Sequence, residues 1–502
     1  MNNGRICVSV CGETADEVLA QIERGQAVAD VVEVRFDCVS GTEFPSLLNR
    51  LAHINTPLLL TFRPMKQGGH RTLTFDERLK FWENVLWKLE NNDVLVDHEF
   101  DLDLPLDPDP DRTIISFHDF QTNGGSNLTE RFDELANLTG KAIKIAVNAD
   151  RITDSIGVWK LLQHAESTGK DLIPIAMGEP GKWTRILGLA YGAPLVYASL
   201  DSGRETGPGQ ISAADLRDVF RVKDLDSSTE VFGIIAADTS YTFSPYLHNA
   251  AFKAAEMNKV FTPLQVDDLD AFMRRMVDSR TREIEINFAG FSVTNPHKQA
   301  IVKYLSQVDP TAEAIGAVNT VRIEHGRFIG FNTDATGFIK PLRDSLGDLA
   351  GARVAVVGAG GAARACAYAL KQERADVTIL ARDTTKATAL GRELNVAVDQ
   401  LTTDHRPLTT DVLVNATPLG TKGDRENETI ATAEELHGVR LVYDLVYNPT
   451  ETRLLREAKT AGVATINGLE MFLAQGAKQF EIWTDHEAPV DAMREAVVRR
   501  LR

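Results

Sequence analysis

Eight short β-rich runs follow one another through the first half of the chain, each separated from the next by a stretch of helical periodicity. They are ICVSVC from Ile6, VVEVRF from Val31, PLLLTFR from Pro57, VLVDHEF from Val94, TIISFH from Thr113, KAIKIAV from Lys141, LIPIAM from Leu172 and LVYASL from Leu195. The intervals, such as Ala15 to Arg24 and Phe75 to Leu89, place apolar residues at helical spacing. Strand and helix alternating about eight times within roughly 220 residues is what a (β/α)8 barrel requires.

Polar residues inside these runs say where chemistry belongs. In Lys141 to Val147, Ile143, Ile145 and Val147 share one face while Lys144 shares the other with Ala146. Outward faces of barrel strands pack on helices, so Lys144 is expected to point inward. Glu33 and Arg35 share a face of the second run, Asp97 and Glu99 lie in the fourth, and Arg63 and His118 end the third and fifth. Ionised groups are rarely buried unpaired, so this collection predicts a charged pocket at the C-terminal mouth. The bland alternative is a set of internal ion pairs. A desolvated lysine near other cations sheds its proton more readily and can condense with a ketone to an imine. Histidine, with an ordinary pKa near neutrality, suits the accompanying proton transfer.

VVEVRFD (Val31 to Asp37), LTFRP (Leu60 to Pro64), ISFHDF (Ile115 to Phe120), KIAV (Lys144 to Val147) and GPGQI (Gly207 to Ile211) together resemble type I 3-dehydroquinate dehydratase. The resemblance implies that Lys144 forms the imine and that His118 shuttles the proton. It also implies that Arg185 holds the substrate carboxylate, while Glu33, Arg35, Arg63, Thr206 and Gln210 bind hydroxyls or order the pocket. Gln67 stands where many relatives carry glutamate, and Thr206 where some carry serine.

The second half carries a nucleotide signal. RVAVVGAGGAARACAYAL, from Arg353, is an apolar strand, a glycine-rich turn and a helical pattern, with Gly358, Gly360 and Ala363 in GxGxxA spacing. Gly358, Ala359, Gly360, Gly361, Ala362 and Ala363 are therefore the expected pyrophosphate-binding turn. The next strand-like run ends at Ala381 and is followed by Arg382, with Lys386 a turn later. Cations there suit a 2′-phosphate and hence NADP, whereas the neighbouring Asp383 keeps NAD open.

SPYLHN (Ser244 to Asn249), VTNPHK (Val293 to Lys298), AVNT (Ala317 to Thr320), NTDATG (Asn332 to Gly337), YDLVYNP (Tyr443 to Pro449) and GLEMFLAQGA (Gly468 to Ala477) resemble shikimate dehydrogenase. That resemblance implies a catalytic pair, Lys298 with Asp334. It implies ring-binding roles for Asn319, Tyr447 and Gln475, carboxylate binding by Ser244 and Thr242, and a cofactor contact from Thr417 in NATPLG. Thr242 replaces the family's usual serine, and Thr421 a usual methionine.

The expected architecture is α/β. A barrel over 1–223 is followed by a substrate lobe over 231–333, completed by 468–502, and by a Rossmann-type NADP lobe over 334–467. The two halves join chemically, since dehydration of 3-dehydroquinate gives the 3-dehydroshikimate that the second half would reduce to shikimate. A quinate dehydrogenase in the second half, or one half kept only for binding or regulation, are the rival readings.

Lys and Arg total 54 against 71 Asp and Glu, a net charge of −17, which disfavours nucleic acid and anionic membranes as partners. No run reaches the roughly 18 apolar residues of a membrane span, and the first strand begins almost at Met1, so a cytoplasmic enzyme is expected. Cys7, Cys11, Cys38 and Cys366 form no CxxC pair and are expected as buried thiols, with neither zinc nor disulfide. No metal is expected at either site.

Overall fold

The computed structural model describes residues 2–88, 94–102, 109–401 and 408–501; the expected helix end at Leu89 lies outside them. The described chain packs as two compact units, Met1–Pro245 with Asn258–Phe288, and Tyr246–Met257 with Ala289–Arg502.

In the first unit all eight expected strands form: β1 (Arg5–Val10), β2 (Val31–Arg35), β3 (Leu58–Thr61), β4 (Val94–Glu99), β5 (Thr113–Asn123), β6 (Ala142–Asn148), β7 (Asp171–Met177) and β8 (Leu195–Ser199). They run in the order β7-β6-β5-β4-β3-β2-β1-β8, every recorded pairing parallel, and make a near-closed barrel. Parallel neighbours need crossovers, and helices such as Ala15–Gly25 and Ser155–Thr168 provide them. The alternation in β6 sorts as the sequence predicts. Ala142 and Ala146 join the interior with Cys7, Leu59, Ile173 and Tyr197. Ile143, Ile145 and Val147 pack outward on Phe132, Leu135 and Val158. Two boundaries differ from expectation: β5 continues past His118 to Asn123, and β3 ends before Arg63. The same unit holds a parallel pair, β9 (Glu230–Ala236) and β10 (Lys259–Gln265).

In the second unit, β11 (Phe288–Val293), β13 (Thr320–Glu324) and β14 (Arg327–Phe331) are antiparallel, with β12 (Gln307–Val308) parallel to β14. A separate, wholly parallel sheet comprises β15 (Arg353–Val357), β16 (Asp376–Ala381), β17 (Ala397–Gln400), β18 (Val412–Asn415), β19 (Leu441–Asp444) and β20 (Ala464–Ile466). Its order is β17-β16-β15-β18-β19-β20, the 3-2-1-4-5-6 arrangement of a dinucleotide fold whose order reverses beside the first strand.

The cysteines correct one expectation. Cys7 and Cys366 are buried free thiols, pushed up in pKa first of all by that burial, but Cys11 and Cys38 form a disulfide. They are 27 residues apart in sequence, and only the parallel pairing of β1 with β2 brings the ends of those strands together.

Candidate active sites

The barrel strands deliver the charged residues of the first half to one cavity. Glu33, Arg35, Arg63, His118, Lys144, Arg185, Thr206 and Gln210 all line it, against an apolar wall that includes Ile175 and Met177.

Lys144 is 2% exposed, and its Nζ donates to Asp97 Oδ2 at 2.5 Å while lying 4.1 Å from the centre of the Tyr197 ring. The same carboxylate oxygen accepts from Arg63 Nη2 at 2.9 Å and Tyr197 Oη at 3.2 Å. Burial raises a carboxyl's pKa, but Lys144 and Arg63 more than offset this and hold Asp97 well below the usual range. Lys144 itself is lowered, by burial first and by Arg63 second, with Asp97 opposing. The site therefore favours a neutral amine more than water does.

His118 is also pushed well down, by burial and then by Arg63 and Lys144, and its Nδ1 has no partner among the described residues. That shift favours the neutral imidazole, the form that can accept a proton. Arg185 is buried without a carboxylate partner among the described residues, donating only to the backbone carbonyls of Tyr197 at 3.4 Å and Pro208 at 3.2 Å. Its burial lowers it to about 10, which leaves a charged guanidinium suited to an incoming anion.

Around these groups the pocket is braced. Glu33 accepts from Ser9 and from Thr61 Oγ1, the latter at 2.7 Å. Arg35 makes a two-point contact with Asp37 at 2.9 and 2.8 Å. Gln210 Oε1 accepts from the backbone and hydroxyl of Thr206 at 2.8 and 3.2 Å. Gln67 is buried in the same cavity. The backbone after it can approach Arg63 closely only because Gly69 has no Cβ, which would stand 1.9 Å from the Arg63 carbonyl oxygen.

Sequence reasoning noted Asp97 and Glu99 as strand charges without giving them roles. Asp97 is the hub of the cluster, and Tyr197, from β8, was not singled out at all. Glu99 is raised to about 7 by burial, against the pull of Arg63.

In the second unit, Lys298 follows β11 and its Nζ donates to Asp334 Oδ2 at 2.5 Å. Asp334 is the first residue of helix Asp334–Leu346, and its other oxygen accepts from Asn319 Nδ2 at 2.9 Å. Asn319 is fixed in turn by Thr333 N–H at 2.8 Å and Thr320 Oγ1 at 2.8 Å. Gln475 comes alongside because helix Gly468–Thr484 packs on Gly337, where a Cβ would meet the Gln475 backbone N at 2.8 Å. Tyr447 stacks on Phe472 at 4.6 Å. Thr242 and Ser244 belong to the first unit, where Thr242 Oγ1 accepts from the Ser244 N–H at 3.2 Å.

The glycine-rich turn leaves β15 at Gly358, whose φ of +124° and closeness to the Ala416 carbonyl both disfavour a side chain. Gly360 caps helix Gly361–Gln372 without a side-chain hydrogen bond, which suits a helix start that must offer its first N–H groups to a pyrophosphate. Ala359 stands on the turn, Ala362 in the first turn of the helix, and Ala363 is fully buried behind it. A Cβ on Gly361 would touch Lys298 Cδ at 3.2 Å, so the start of this helix adjoins the Lys298–Asp334 pair.

Arg382 and Lys386 are exposed just beyond β16, and neither has an ion pair among the described residues. Asp383 is the cap of helix Thr384–Leu394, accepting from Thr385 N–H at 3.0 Å. Thr417 is held by Asn415, which accepts from its N–H at 3.1 Å and its hydroxyl at 2.7 Å. Asn415 donates onward to Asp444 at 2.9 Å. Asp444 is a buried carboxyl raised to about 6 by that burial, and its role was not legible in the sequence.

Four family models match in order: type I 3-dehydroquinase over residues 6–227, the shikimate dehydrogenase substrate binding domain over 234–321, shikimate / quinate 5-dehydrogenase over 341–452, and the shikimate 5'-dehydrogenase C-terminal domain over 468–498. A chloroplastic bifunctional 3-dehydroquinate dehydratase/shikimate dehydrogenase of Arabidopsis thaliana is 33% identical over 97% of this chain and 83% of its own. An NADP(+) shikimate dehydrogenase of Methanopyrus kandleri is 39% identical over 55% of this chain and 98% of its own. A crystal structure of a shikimate dehydrogenase in complex with NADP+ matches 55% of this chain and 98% of its own at 37% identity, with a TM-score of 0.50. Order and coverage agree: the chain belongs to the bifunctional 3-dehydroquinate dehydratase/shikimate dehydrogenase family.

Proposed function

We propose that this chain dehydrates 3-dehydroquinate at the barrel mouth and reduces the resulting 3-dehydroshikimate to shikimate in its second half. The observation that supports the first step best is the placement of a buried, pKa-lowered Lys144 in one cavity with His118 and Arg185. Arg185 takes the ring carboxylate. Lys144 Nζ adds to the C3 ketone and expels its oxygen as water, giving a protonated imine. His118 takes the C2 proton while the C–H electron pair passes into the imine; the neighbouring ring hydroxyl then leaves as water with the proton returned by His118, and hydrolysis of the imine releases the product ketone and the amine. Glu33, Arg35, Arg63, Thr206 and Gln210 orient the ring hydroxyls.

In the second half Lys298 delivers the proton that a developing alkoxide needs, and Asp334 orients and recharges it. Asn319, Tyr447 and Gln475 hold the ring. The turn Gly358 to Ala363, with Thr417, fits a dinucleotide, and Arg382 with Lys386 fits a 2′-phosphate. Asp383 is committed to its helix, so NADP is favoured over NAD; when bound as NADPH the cofactor supplies the hydride. The working divisions are 1–223 for the dehydratase, 231–333 with 468–502 for substrate, and 334–467 for NADP.

No helix of the described residues is long and apolar enough to cross a membrane. We place the enzyme in the cytoplasm, acting on small anions and not on nucleic acid. Turnover of shikimate and quinate, each with NADP+ and NAD+, tests the dehydrogenase assignment. Preference for shikimate with NADP+ is expected, whereas preference for quinate would move the second half to a quinate dehydrogenase, with the extra methyl of Thr242 as the first residue to examine.

A further inference from the structure

Two cysteines take no part in either reaction, yet the fold gathers them with a histidine on the rim of the barrel mouth. Cys11 follows β1 and Cys38 follows β2, with their Cα atoms 5.5 Å apart. His70 lies in the loop after β3, where its backbone N–H donates to Asp37 Oδ2 at 3.0 Å. The two sulfurs and a ring nitrogen of His70 lie within 4.8 Å of one another. Each backbone is held in place. Gln21 bonds both the N–H and the carbonyl of Cys11, at 3.2 and 2.8 Å, and the Cys38 N–H donates to the Arg35 carbonyl at 3.1 Å. Both cysteines are half-buried and His70 is exposed, so reagents from solvent can reach all three.

We propose that Cys11, Cys38 and His70 form a redox-gated site for a thiophilic divalent cation of the zinc type. Two thiolates and an imidazole select such a cation over magnesium or calcium, which prefer oxygen. Zinc bonds of about 2.3 Å to sulfur and 2.0 to 2.1 Å to nitrogen need only a small contraction of the 4.8 Å cluster. The sulfurs must also separate from their mutual bond, and water completes the fourth position. The disulfide is the closed gate, because the metal ligand is the thiolate.

An external dithiol opens it. Two electrons pass to the Cys11–Cys38 bond, the bond breaks, both sulfurs become thiols, and the dithiol leaves as its own disulfide. Cation binding then releases the two thiol protons to solvent. The bound ion would tie the ends of β1 and β2 to the loop that carries Gln67 and Gly68, whereas the disulfide ties only the two strands.

Cobalt(II) reports this directly, because thiolate ligation gives a charge-transfer band that water or carboxylate ligation does not. The full-length protein, reduced by a phosphine and shown by thiol titration to have an open disulfide, should take up a single equivalent with that band and release it to zinc. The disulfide form and a Cys38→Ser variant should show no band. A His70→Ala variant keeps both sulfurs and should lose affinity by at least about tenfold, the lower end of what removing even a supporting partner costs; it keeps the test decisive should Cys38→Ser fail to fold. A reduced protein without the band, a band that persists in the disulfide form, or undiminished affinity in His70→Ala would each overturn the proposal.

Discussion

At the scale of single residues, the dehydratase depends on an amine that burial and Arg63 make easier to deprotonate. Borohydride added with 3-dehydroquinate should leave a stable adduct on Lys144 and abolish dehydration, while the dehydrogenase, whose lysine only moves a proton, keeps its rate. An unmodified Lys144 in the peptide map would contradict this. The pH dependence follows from Asp97, whose charge favours the ammonium form of Lys144. Removing that charge with Asp97→Asn should lower the lysine pKa further, so that the neutral amine persists to more acidic pH. The acid limb of adduct formation should then shift to lower pH; a shift upward, or none, would show that Asp97 does not set this equilibrium.

The proposed NADP preference also turns on one side chain. Arg382→Ala removes one charged contact, of order 1.5 to 3 kcal/mol, so NADPH should bind about ten- to a hundredfold more weakly by titration while NADH is little changed. Equal loss for both cofactors would point away from a 2′-phosphate role.

At the scale of elements, the turns place the charges. A methyl at Gly69 would stand inside the Arg63 carbonyl, so Gly69→Ala must displace the segment that sets Arg63 against Asp97. Dehydration should fall while shikimate oxidation in the same sample is unchanged; parallel loss of both activities would mean general misfolding. The strand periodicity was legible because parallel barrel strands pair neighbours in sequence order, and the two faces of β6 carry different side chains. Contacts across the barrel were less legible. Asp97 reaches past β5 to Lys144 on β6, and Tyr197 approaches from β8, so their meeting depends on closure and register. The Cys11–Cys38 bond was hidden for the same reason: a spacing of 27 residues shows proximity only once β1 and β2 lie side by side. In the second half, Lys298, Asn319 and Asp334 could be named from their motifs. Asp444 stands in YDLVYNP without a role in the sequence, because its work is to brace Asn415 and through it Thr417, a relation visible only where β18 and β19 run in parallel.

At the scale of the whole molecule, a chain of net charge −17 is asked to bind a carboxylate twice and a phosphorylated dinucleotide once. It does so by isolating cations where the anions must go. Arg185, Arg382 and Lys386 have no acidic partner among the described residues, while Lys144 and Lys298 are each held by a carboxylate. The central claim is that one polypeptide performs both steps in sequence, and a coupled assay tests it most directly. Intact enzyme supplied with 3-dehydroquinate and NADPH should oxidise one NADPH per shikimate formed, and a Lys144→Ala variant should form shikimate only when 3-dehydroshikimate is supplied. Accumulation of 3-dehydroshikimate without NADPH oxidation, or quinate as the reduced product, would contradict the account.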